Sequence, residues 1–344
     1  MGCPNDCSFC NQRKINGVDE AVQPEALFEF VQSYLETMKR DQIELAFFGG
    51  SFTGIEVTKQ IAYLEKAKEL KSLGLIHKIR LSTRPDYIDI EIINRLKKYS
   101  VDLVELGCQS FDNSVLMATQ RGHDVHAIKH AINLLMEAKI DYGIQLMLGL
   151  PEDNFDKFKD SVAQATTLHP TCVRLYPALV IRDTQMEKDY LTGDYKPLSL
   201  DEAVKWTAYA LRIFHNNNIP VIRMGLQRTD LIDFDASVIA GPFHPAFGEM
   251  VMSLIFYETI EATLIKLSQP QLSVEIHVNP KQVSAAIGNK RQNQMKLREK
   301  YDHLYANDSI NAHEKFEFVA DPKVGMNQVV IYADNERFEE IIMK

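Results

Sequence analysis

The sequence predicts an α/β fold, a partial barrel of six parallel strands and their helices, followed by a small α+β domain. Between residues 24 and 226, short apolar segments alternate with longer amphipathic ones. One apolar segment ends at a glycine pair, and another at a Gly-Leu-Pro turn. Such alternation implies parallel strands joined by right-handed crossovers. In folds of this kind the chemistry lies at the carboxyl ends of the strands.

The elements follow in order along the chain. The predicted strands lie at residues 43–48, 78–83, 102–107, 140–147, 171–177 and 220–224. Predicted helices occupy residues 24–38, 57–72, 88–98, 112–118, 125–138, 154–168 and 200–217. Pro24 near the first turn of the first helix is typical of a helix start. The apolar run before Gly49 and Gly50 predicts a buried strand.

The pattern is lost over residues 227–247, which carry a glycine and two prolines. We therefore assign residues 1–227 to the barrel, 228–268 to a linker and a long helix, and 269–344 to a C-terminal α+β domain. The order predicted for that domain is strand, helix, tight loop, helix and two strands, at residues 272–278, 280–287, 288–291, 291–302, 315–319 and 327–332.

Composition bounds the function. The 344 residues are 45% apolar and 25% charged, which is ordinary for a folded protein. No stretch approaches the roughly 18 apolar residues of a membrane span, and the N-terminus lacks the pattern of a secretory signal. We therefore expect a cytoplasmic location and no membrane partner. The net charge of -9 means that any binding of nucleic acid must come from a local basic patch.

Three of the five cysteines, Cys3, Cys7 and Cys10, lie within eight residues as C-x3-C-x2-C. This crowding does not fit a disulfide framework. Three thiolates so close together suit a [4Fe–4S] cluster with one iron left free. The alternatives are a zinc site, which would need a fourth ligand, and three unrelated cysteines. Cys108 directly follows one predicted strand and Cys172 begins another, and we expect both to be core residues.

The cysteine spacing, with Phe9 before the last cysteine, resembles the signature of the radical S-adenosylmethionine superfamily. The resemblance implies two cofactors, a [4Fe–4S] cluster and S-adenosylmethionine, whose amino and carboxylate groups would chelate the free iron. Reductive cleavage would then give methionine and a 5′-deoxyadenosyl radical. An electron donor such as flavodoxin or ferredoxin is implied as well.

Further strings resemble the radical core of the Elongator catalytic subunit and its bacterial relatives. They are Thr83-Arg84-Pro85-Asp86, 104–110, Gln120-Arg121-Gly122-His123, 147–151 and 175–181. The resemblance runs from Cys3 to about Gln227 and implies an RNA substrate, with tRNA favoured. Relatives carry a barrel strand before the cysteine loop, so we expect the first strand to be missing here. No segment resembles the acetyltransferase domain of Elongator.

By position, the resemblance implies a cofactor pocket formed by Gly49, Gly50, Ser51, Ser82, Arg84, Gln109, Arg121 and Gln145. Relatives have glutamate where this chain has Ser82. Surface charge is the alternative for Arg84 and Arg121, and a paired interior amide is the alternative for Gln145. Strand periodicity predicts that Glu105, Gly107 and Gln109 share one face. Tyr176 is a candidate radical relay or substrate contact, with core packing as the alternative.

The C-terminal order of elements resembles a KH module, in which a GxxG loop clamps the nucleic-acid backbone. Here the loop runs from Gly288 through Lys290 to Arg291, which replaces the second glycine. Residues 281–300 contain six basic residues and one acidic residue. This basic patch predicts RNA binding through Gly288, Lys290 and Arg291. The alternative is a solvated helix in a structural cap.

These features together predict a radical enzyme that modifies RNA. Two other hypotheses stay open. One is an enzyme like oxygen-independent coproporphyrinogen oxidase, acting on a small molecule. The other is an RNA-binding regulator with a non-catalytic barrel.

Overall fold

The computed structural model describes residues 3, 5–11, 22–37, 42–226, 233–234, 236–266, 273–304, 316–333 and 336–343. The chain divides into two compact units. The first comprises Met1–Ala203 and Asn217–Pro245, and the second comprises Val204–Asn216 and Ala246–Lys344. The predicted boundary at residue 227 lies outside the described residues, and the three-part division of the chain stays a prediction.

A sheet of six parallel strands forms the centre of the first unit. Its order is β1-β2-β3-β4-β5-β7, which confirms the predicted partial barrel. The strands are β1 (Glu44–Phe47), β2 (Lys78–Thr83), β3 (Leu103–Gln109), β4 (Asp141–Leu148), β5 (Cys172–Pro177) and β7 (Val221–Met224). A short antiparallel pair that the sequence did not predict joins β6 (Val180–Ile181) to β8 (Val238–Ala240).

Helices connect these strands. They are α1 (Leu27–Leu35), α2 (Val57–Ser72), α3 (Ile90–Lys98), α4 (Asn113–Ala118), α5 (Val125–Ala138), α6 (Phe155–Thr167), α7 (Gln185–Thr192) and α8 (Leu200–Asn216). Side chains of Asp89, Asp112 and Asp124 cap three of them by accepting backbone N–H groups of the first turn. The first predicted helix is shorter than expected, because Pro24–Ala26 forms a 3-10 turn, and Met38 lies outside the described residues.

Strand alternation sends apolar side chains toward the helices and polar ones into the lumen of the partial barrel. On β2, Ile79 and Leu81 are fully buried, whereas Arg80 between them is partly accessible. All seven residues of β3 are buried, so its polar side chains must find partners within the lumen. The sheet therefore gathers charged groups inside an otherwise apolar fold.

The second unit combines most of α8, from Val204 on, with α9 (Phe247–Ile265), α10 (Val283–Ile287), α11 (Gln292–Leu304) and four strands. Their order is β10-β9-β11-β12, and β9 is parallel to β10 but antiparallel to β11. The strands are β9 (Val274–Val278), β10 (Phe316–Ala320), β11 (Gln328–Ala333) and β12 (Glu336–Ile341). This confirms the predicted strand, helix, loop, helix and strand order. The sequence missed β12, in which four of six residues are charged.

The loop between α10 and α11 is tightly packed. Gly288 has a φ of +80°, and a Cβ there would lie 2.9 Å from Asn293 Cγ and 3.1 Å from Asn293 N. Asn293 cannot yield easily, because its buried amide donates to Ser253 O at 2.8 Å and to Ala286 O at 3.1 Å. The loop conformation therefore requires glycine at position 288.

Replacing Gly288 by alanine should destabilise the second unit by about 2–4 kcal/mol, since overpacking adds to left-handed strain. Gly193→Ala is the matched control. Gly193 has a φ of +86° but nothing within 4 Å of a new Cβ, so strain alone, about 1 kcal/mol, is expected. Hydrogen exchange of each unit under increasing urea measures both changes. Equal losses for the two variants would contradict the packing argument.

Candidate functional site

The cysteine loop, which comprises Cys3 and residues 5–11, is held by backbone hydrogen bonds from separate parts of the first unit. Ser8 N–H donates to Thr119 O at 3.0 Å, and Met186 N–H donates to Ser8 O at 2.8 Å. Within the loop, Cys10 N–H donates to Cys7 O at 2.9 Å. The end of α4 and the start of α7 therefore clamp the loop from two sides, although the sequence did not predict α7.

Apolar side chains surround this loop. Cys7 is 3% exposed, and Phe9 beside it is buried as well. They belong to one cluster with Val115, Leu150, Ala178, Val180, Met186 and Tyr195, against which Cys10, Met147, Tyr190, Ile239 and Ala240 also pack. The short β6–β8 pair thus contributes to the wall of the cysteine site, which shields the Cys7 sulfur from solvent.

Two buried guanidinium groups point at the sulfur of Cys7. Arg121 Nη1 donates to Cys7 Sγ at 3.2 Å, and Arg84 Nη1 donates to it at 3.6 Å. Arg84 also makes a bidentate ion pair with Asp86 and donates to the backbone oxygen of Arg121. Arg84 and Arg121 are 3% and 5% exposed, which rules out the surface-charge alternative for both.

The glycine pair after β1 leads into a buried hydroxyl network. Gly49 and Gly50 have φ values of +99° and +135°, a backbone conformation that favours glycine. Ser51 Oγ bonds to Thr83 Oγ1 at 2.9 Å and accepts the N–H of Arg84 at 3.1 Å. Ser51 therefore fixes the chain where Arg84 begins, and its hydroxyl is engaged within the protein.

Gly107 and Gln109, at the end of β3, lie beside the cysteine site, where Gly107 O accepts a hydrogen bond from Arg121. Gln109 has a φ of +71°, and the pairing with β4 shifts register there. Its Nε2 lies 3.0 Å from where a Cβ of Gly107 would be, so both residues face the same side, as predicted. Gln109 Oε1 is buried and has no hydrogen-bond partner among the described residues. Strain and an unpaired buried acceptor fit a ligand-binding position.

A carboxylate lies at the centre of the lumen. Glu105 is 1% exposed and accepts hydrogen bonds from Arg80 Nη2 at 2.5 Å and Arg174 Nε at 2.5 Å. Gln145 Nε2 donates to the same carboxylate at 3.2 Å. Gln145 is therefore a paired amide in this network, the alternative kept open above, and the structure does not bring it to Cys7 by any described contact.

Burial alone would raise the pKa of Glu105, but the hydrogen bonds and charges of Arg174 and Arg80 hold that pKa below its ordinary value of 4.5. Gly143 on the neighbouring strand makes room for this arrangement. A Cβ there would lie 3.3 Å from Glu105 Cγ and 2.8 Å from Cys172 Sγ. The sequence analysis missed Arg80 and Arg174. The available signal was a charged residue flanked by apolar ones within a buried strand.

Tyr176 and Phe48 lie on the lumen side of the same network. Arg174 Nη1 is 3.5 Å from Tyr176 Oη, and its guanidinium carbon is 5.1 Å from the ring centre of Phe48. Tyr176 and Ser82 are half-buried, and Phe48 is 51% exposed. Tyr176 is thus a partner of Arg174 at the partly open lumen and is not a closed core residue.

The described residues contain no group of three or more His, Cys, Asp or Glu side chains placed to hold a single metal ion, and Cys3, Cys7 and Cys10 do not form one. Cys108 and Cys172 are buried, as predicted, and burial raises the pKa of their thiols to about 12 and about 11. The cysteine loop does fit an anionic group, because two guanidiniums converge on Cys7 and the Nε of Arg121 is buried without a partner among the described residues.

Fold and site together define a partial barrel with a cysteine loop at the carboxyl ends of its strands. Residues 1–165 match the family model described as "Radical SAM superfamily", and residues 170–255 match "Radical_SAM C-terminal domain". The chain belongs to the radical S-adenosylmethionine superfamily. It is an enzyme, and members of this superfamily bind a [4Fe–4S] cluster and S-adenosylmethionine.

Individual curated proteins are similar to part of the chain. It is 29% identical over 253 residues to a tRNA uridine(34) acetyltransferase of Methanocaldococcus infernus, covering 61% of this chain and 47% of the relative. It is 24% identical over 225 residues to the oxygen-independent coproporphyrinogen-III oxidase-like protein HemZ of Bacillus subtilis, covering 60% and 44%. The chain spans about half the length of the curated relatives it matches.

Among solved structures, the archaeal Methanocaldococcus infernus Elp3 with an N-terminal deletion is similar, with a TM-score of 0.57 and 26% identity. The match covers 70% of this chain and 61% of that one. The predicted resemblance to the Elongator catalytic subunit is thereby confirmed. Within the part of the chain that the structure describes, no helix combines the length and apolarity needed to cross a membrane.

Replacing Glu105 by glutamine should lower the free energy of unfolding by about 3–5 kcal/mol, because Arg80 and Arg174, whose side chains are only 16% and 17% exposed, lose their shared buried carboxylate. Glu44→Gln is the matched control. Glu44 also binds Arg80, at 2.5 Å, but its side chain is 37% exposed, so a loss below about 1 kcal/mol is expected. Urea denaturation at pH 7 measures both losses.

The difference in the free energy of unfolding between wild type and Glu105→Gln should become smaller as the pH falls. The folded-state pKa of Glu105 is depressed, so its contribution is present above the ordinary value of 4.5 and is lost as the pH falls through the folded-state pKa. A difference that stays constant down to the acid limit of folding would contradict this assignment.

Proposed function

We propose that Cys3, Cys7 and Cys10 hold the [4Fe–4S] cluster of this enzyme and that S-adenosylmethionine binds beside it. The observation that carries this proposal is the environment of Cys7. Its sulfur receives hydrogen bonds from two buried guanidiniums, inside a clamped loop with an apolar wall. Such an environment suits a thiolate that ligates a buried anionic group. Three cysteine ligands leave one iron for the cofactor.

Several residues around this loop are suited to holding S-adenosylmethionine. Gly49 and Gly50 let a ligand approach the backbone, and Gln109 offers its unpaired buried oxygen. The set implied by the resemblance also contains Ser51, Ser82, Arg84, Arg121 and Gln145. Ser51 acts by positioning Arg84, and the amide of Gln145 is engaged with Glu105. When bound and reduced by a donor such as flavodoxin or ferredoxin, the cofactors supply a 5′-deoxyadenosyl radical that abstracts a hydrogen atom from the substrate.

Changing any one of the three loop cysteines to alanine should abolish the cluster, because each would remove one of three ligands. Iron and sulfide analysis after anaerobic reconstitution measures the loss, and the yield of 5′-deoxyadenosine checks the chemistry. Cys108→Ala is the matched control and should retain the cluster, since Cys108 is fully buried in β3. Wild-type protein that contains zinc, or no metal, would overturn the proposal.

We propose further that the substrate is RNA, with tRNA favoured, and that the second unit binds it. Two observations support this. The unit has the strand, helix, loop, helix and strand order of a KH module around Gly288. Lys281, Lys290, Arg291 and Lys296 are exposed on its helices and connecting loop. Another of the six basic residues, Lys300, pairs with Glu261 at 2.6 Å and is therefore partly neutralised.

The loop keeps a glycine-like shape although its second glycine is replaced. Arg291 has a φ of +61° and Lys290 a φ of +50°, both in the left-handed region. Such backbone conformations normally favour glycine. The fold therefore holds two cationic residues in a conformation that residues other than glycine rarely adopt. This arrangement presents both cations at the point where a KH loop meets the phosphate backbone.

Reversing the charge of Lys290 with Lys290→Glu should weaken binding of an in vitro transcribed tRNA roughly tenfold and reduce its salt dependence. Lys205→Glu, an exposed lysine of α8, is the matched control and should leave affinity unchanged. Gel shifts at several salt concentrations measure both effects. Equal affinity for the two variants would remove the loop from the binding surface.

The similarity to HemZ keeps a small-molecule substrate as a second candidate. Protein that releases 5′-deoxyadenosine but binds no RNA, and that instead binds a porphyrinogen, would favour this candidate. RNA binding without any cleavage of S-adenosylmethionine would favour a regulator with a non-catalytic barrel.

A further inference from the structure

Arg121 is a buried cation without a counter-ion among the described residues. It is 5% exposed, and its guanidinium donates to Cys7 Sγ at 3.2 Å and to the backbone oxygen of Gly107 at 2.6 Å. Its Nε has no hydrogen-bond partner among those residues. The ring of Phe9 lies 6.0 Å from the guanidinium carbon. A guanidinium stays protonated in proteins, so burial cannot be relieved by loss of a proton.

Arg84 differs from Arg121 although both approach the same sulfur. Two nitrogens of Arg84 bind the carboxylate of Asp86, at 2.9 and 2.8 Å, which neutralises the charge of Arg84 locally. Its remaining nitrogen is 3.6 Å from Cys7 Sγ. The positive charge of Arg121, unlike that of Arg84, is therefore not neutralised by a described carboxylate and can act on a group bound at Cys7. A buried charge is stable only when an opposite charge faces it.

We propose that Arg121 is the counter-ion of the iron–sulfur cluster and raises its reduction potential. The inference rests on the proposed ligation of the cluster by Cys3, Cys7 and Cys10. A four-iron core of charge two plus, held by three thiolates, carries one net negative charge, and one added electron brings a second. Arg121 attracts the reduced form more strongly than the oxidised form, and hydrogen bonds to cluster sulfurs act in the same direction.

This role is distinct from lining the pocket for S-adenosylmethionine, which the resemblance implies for Arg121. Both described hydrogen bonds of its guanidinium go to protein atoms of the cysteine site, Cys7 Sγ and Gly107 O. The effect on the potential should therefore be present before S-adenosylmethionine is added. Arg121 acts through Cys7 and is a positioning residue in this sense.

The test is a potentiometric titration of the reconstituted full chain, followed by electron paramagnetic resonance without S-adenosylmethionine. Removing the charge with Arg121→Gln should lower the ratio of reduced to oxidised cluster about tenfold at a given potential, which is a downward shift of about 59 mV for one electron. Lys129→Gln is the matched control. Lys129 is exposed on α5, so solvent screens its charge and its loss should shift the potential by less than a fifth as much.

Arg121→Lys keeps a cation at the same place and should recover most of the lost potential. It also keeps the test decisive if Arg121→Gln reconstitutes poorly. Equal potentials for wild type and Arg121→Gln, or for Arg121→Gln and Arg121→Lys, would overturn the inference. Wild-type protein that takes up no iron would instead overturn the proposed function, so the two failures are distinguishable.

Discussion

The structure of the site depends on one interaction, the approach of two buried guanidiniums to the sulfur of Cys7. Positive charge can be kept in an apolar interior only where negative charge meets it. Asp86 supplies that charge for Arg84, and the cysteine loop must supply it for Arg121. The two backbone hydrogen bonds of Ser8 and the hydrogen bond between the hydroxyls of Ser51 and Thr83 fix the positions of these groups. Loop, strand ends and helix starts therefore form a single arrangement around one atom.

The sequence predicted the six parallel strands, because each is a short apolar run separated from the next by a long amphipathic helix. It could not predict α7 or the β6–β8 pair. Val180–Ile181 is too short to show periodicity, and its partner Val238–Ala240 lies far along the chain, so only tertiary packing defines the pair. These missed elements help to build the wall around Cys7. In the second unit, the sequence did not predict the charged strand β12 for a similar reason, because its pairing with β11 stabilises it.

Motif resemblance and strand periodicity identified different residues of the site. Resemblance singled out Arg84 and Arg121, which the structure places beside Cys7, and periodicity placed Gly107 and Gln109 on one face, where the structure has them. Neither approach found the ion network inside the barrel. Arg80 comes from β2, the neighbour of the Glu105 strand β3, whereas Arg174 comes from β5, with β4 between, so their pairing depends on the order of strands in the sheet. Sequence spacing carries no information about that order.

The absence of a side chain at Gly143 limits which substitutions the neighbouring strands can accept. A methyl group at that position would press on Glu105 Cγ and on Cys172 Sγ. A side chain added at position 143 would need a smaller residue on one of the two neighbouring strands. A shorter residue at position 105 would leave Arg80 and Arg174 without their shared carboxylate. A larger residue at position 143 therefore requires a change at position 105 or 172, which lie 38 and 29 residues away along the chain.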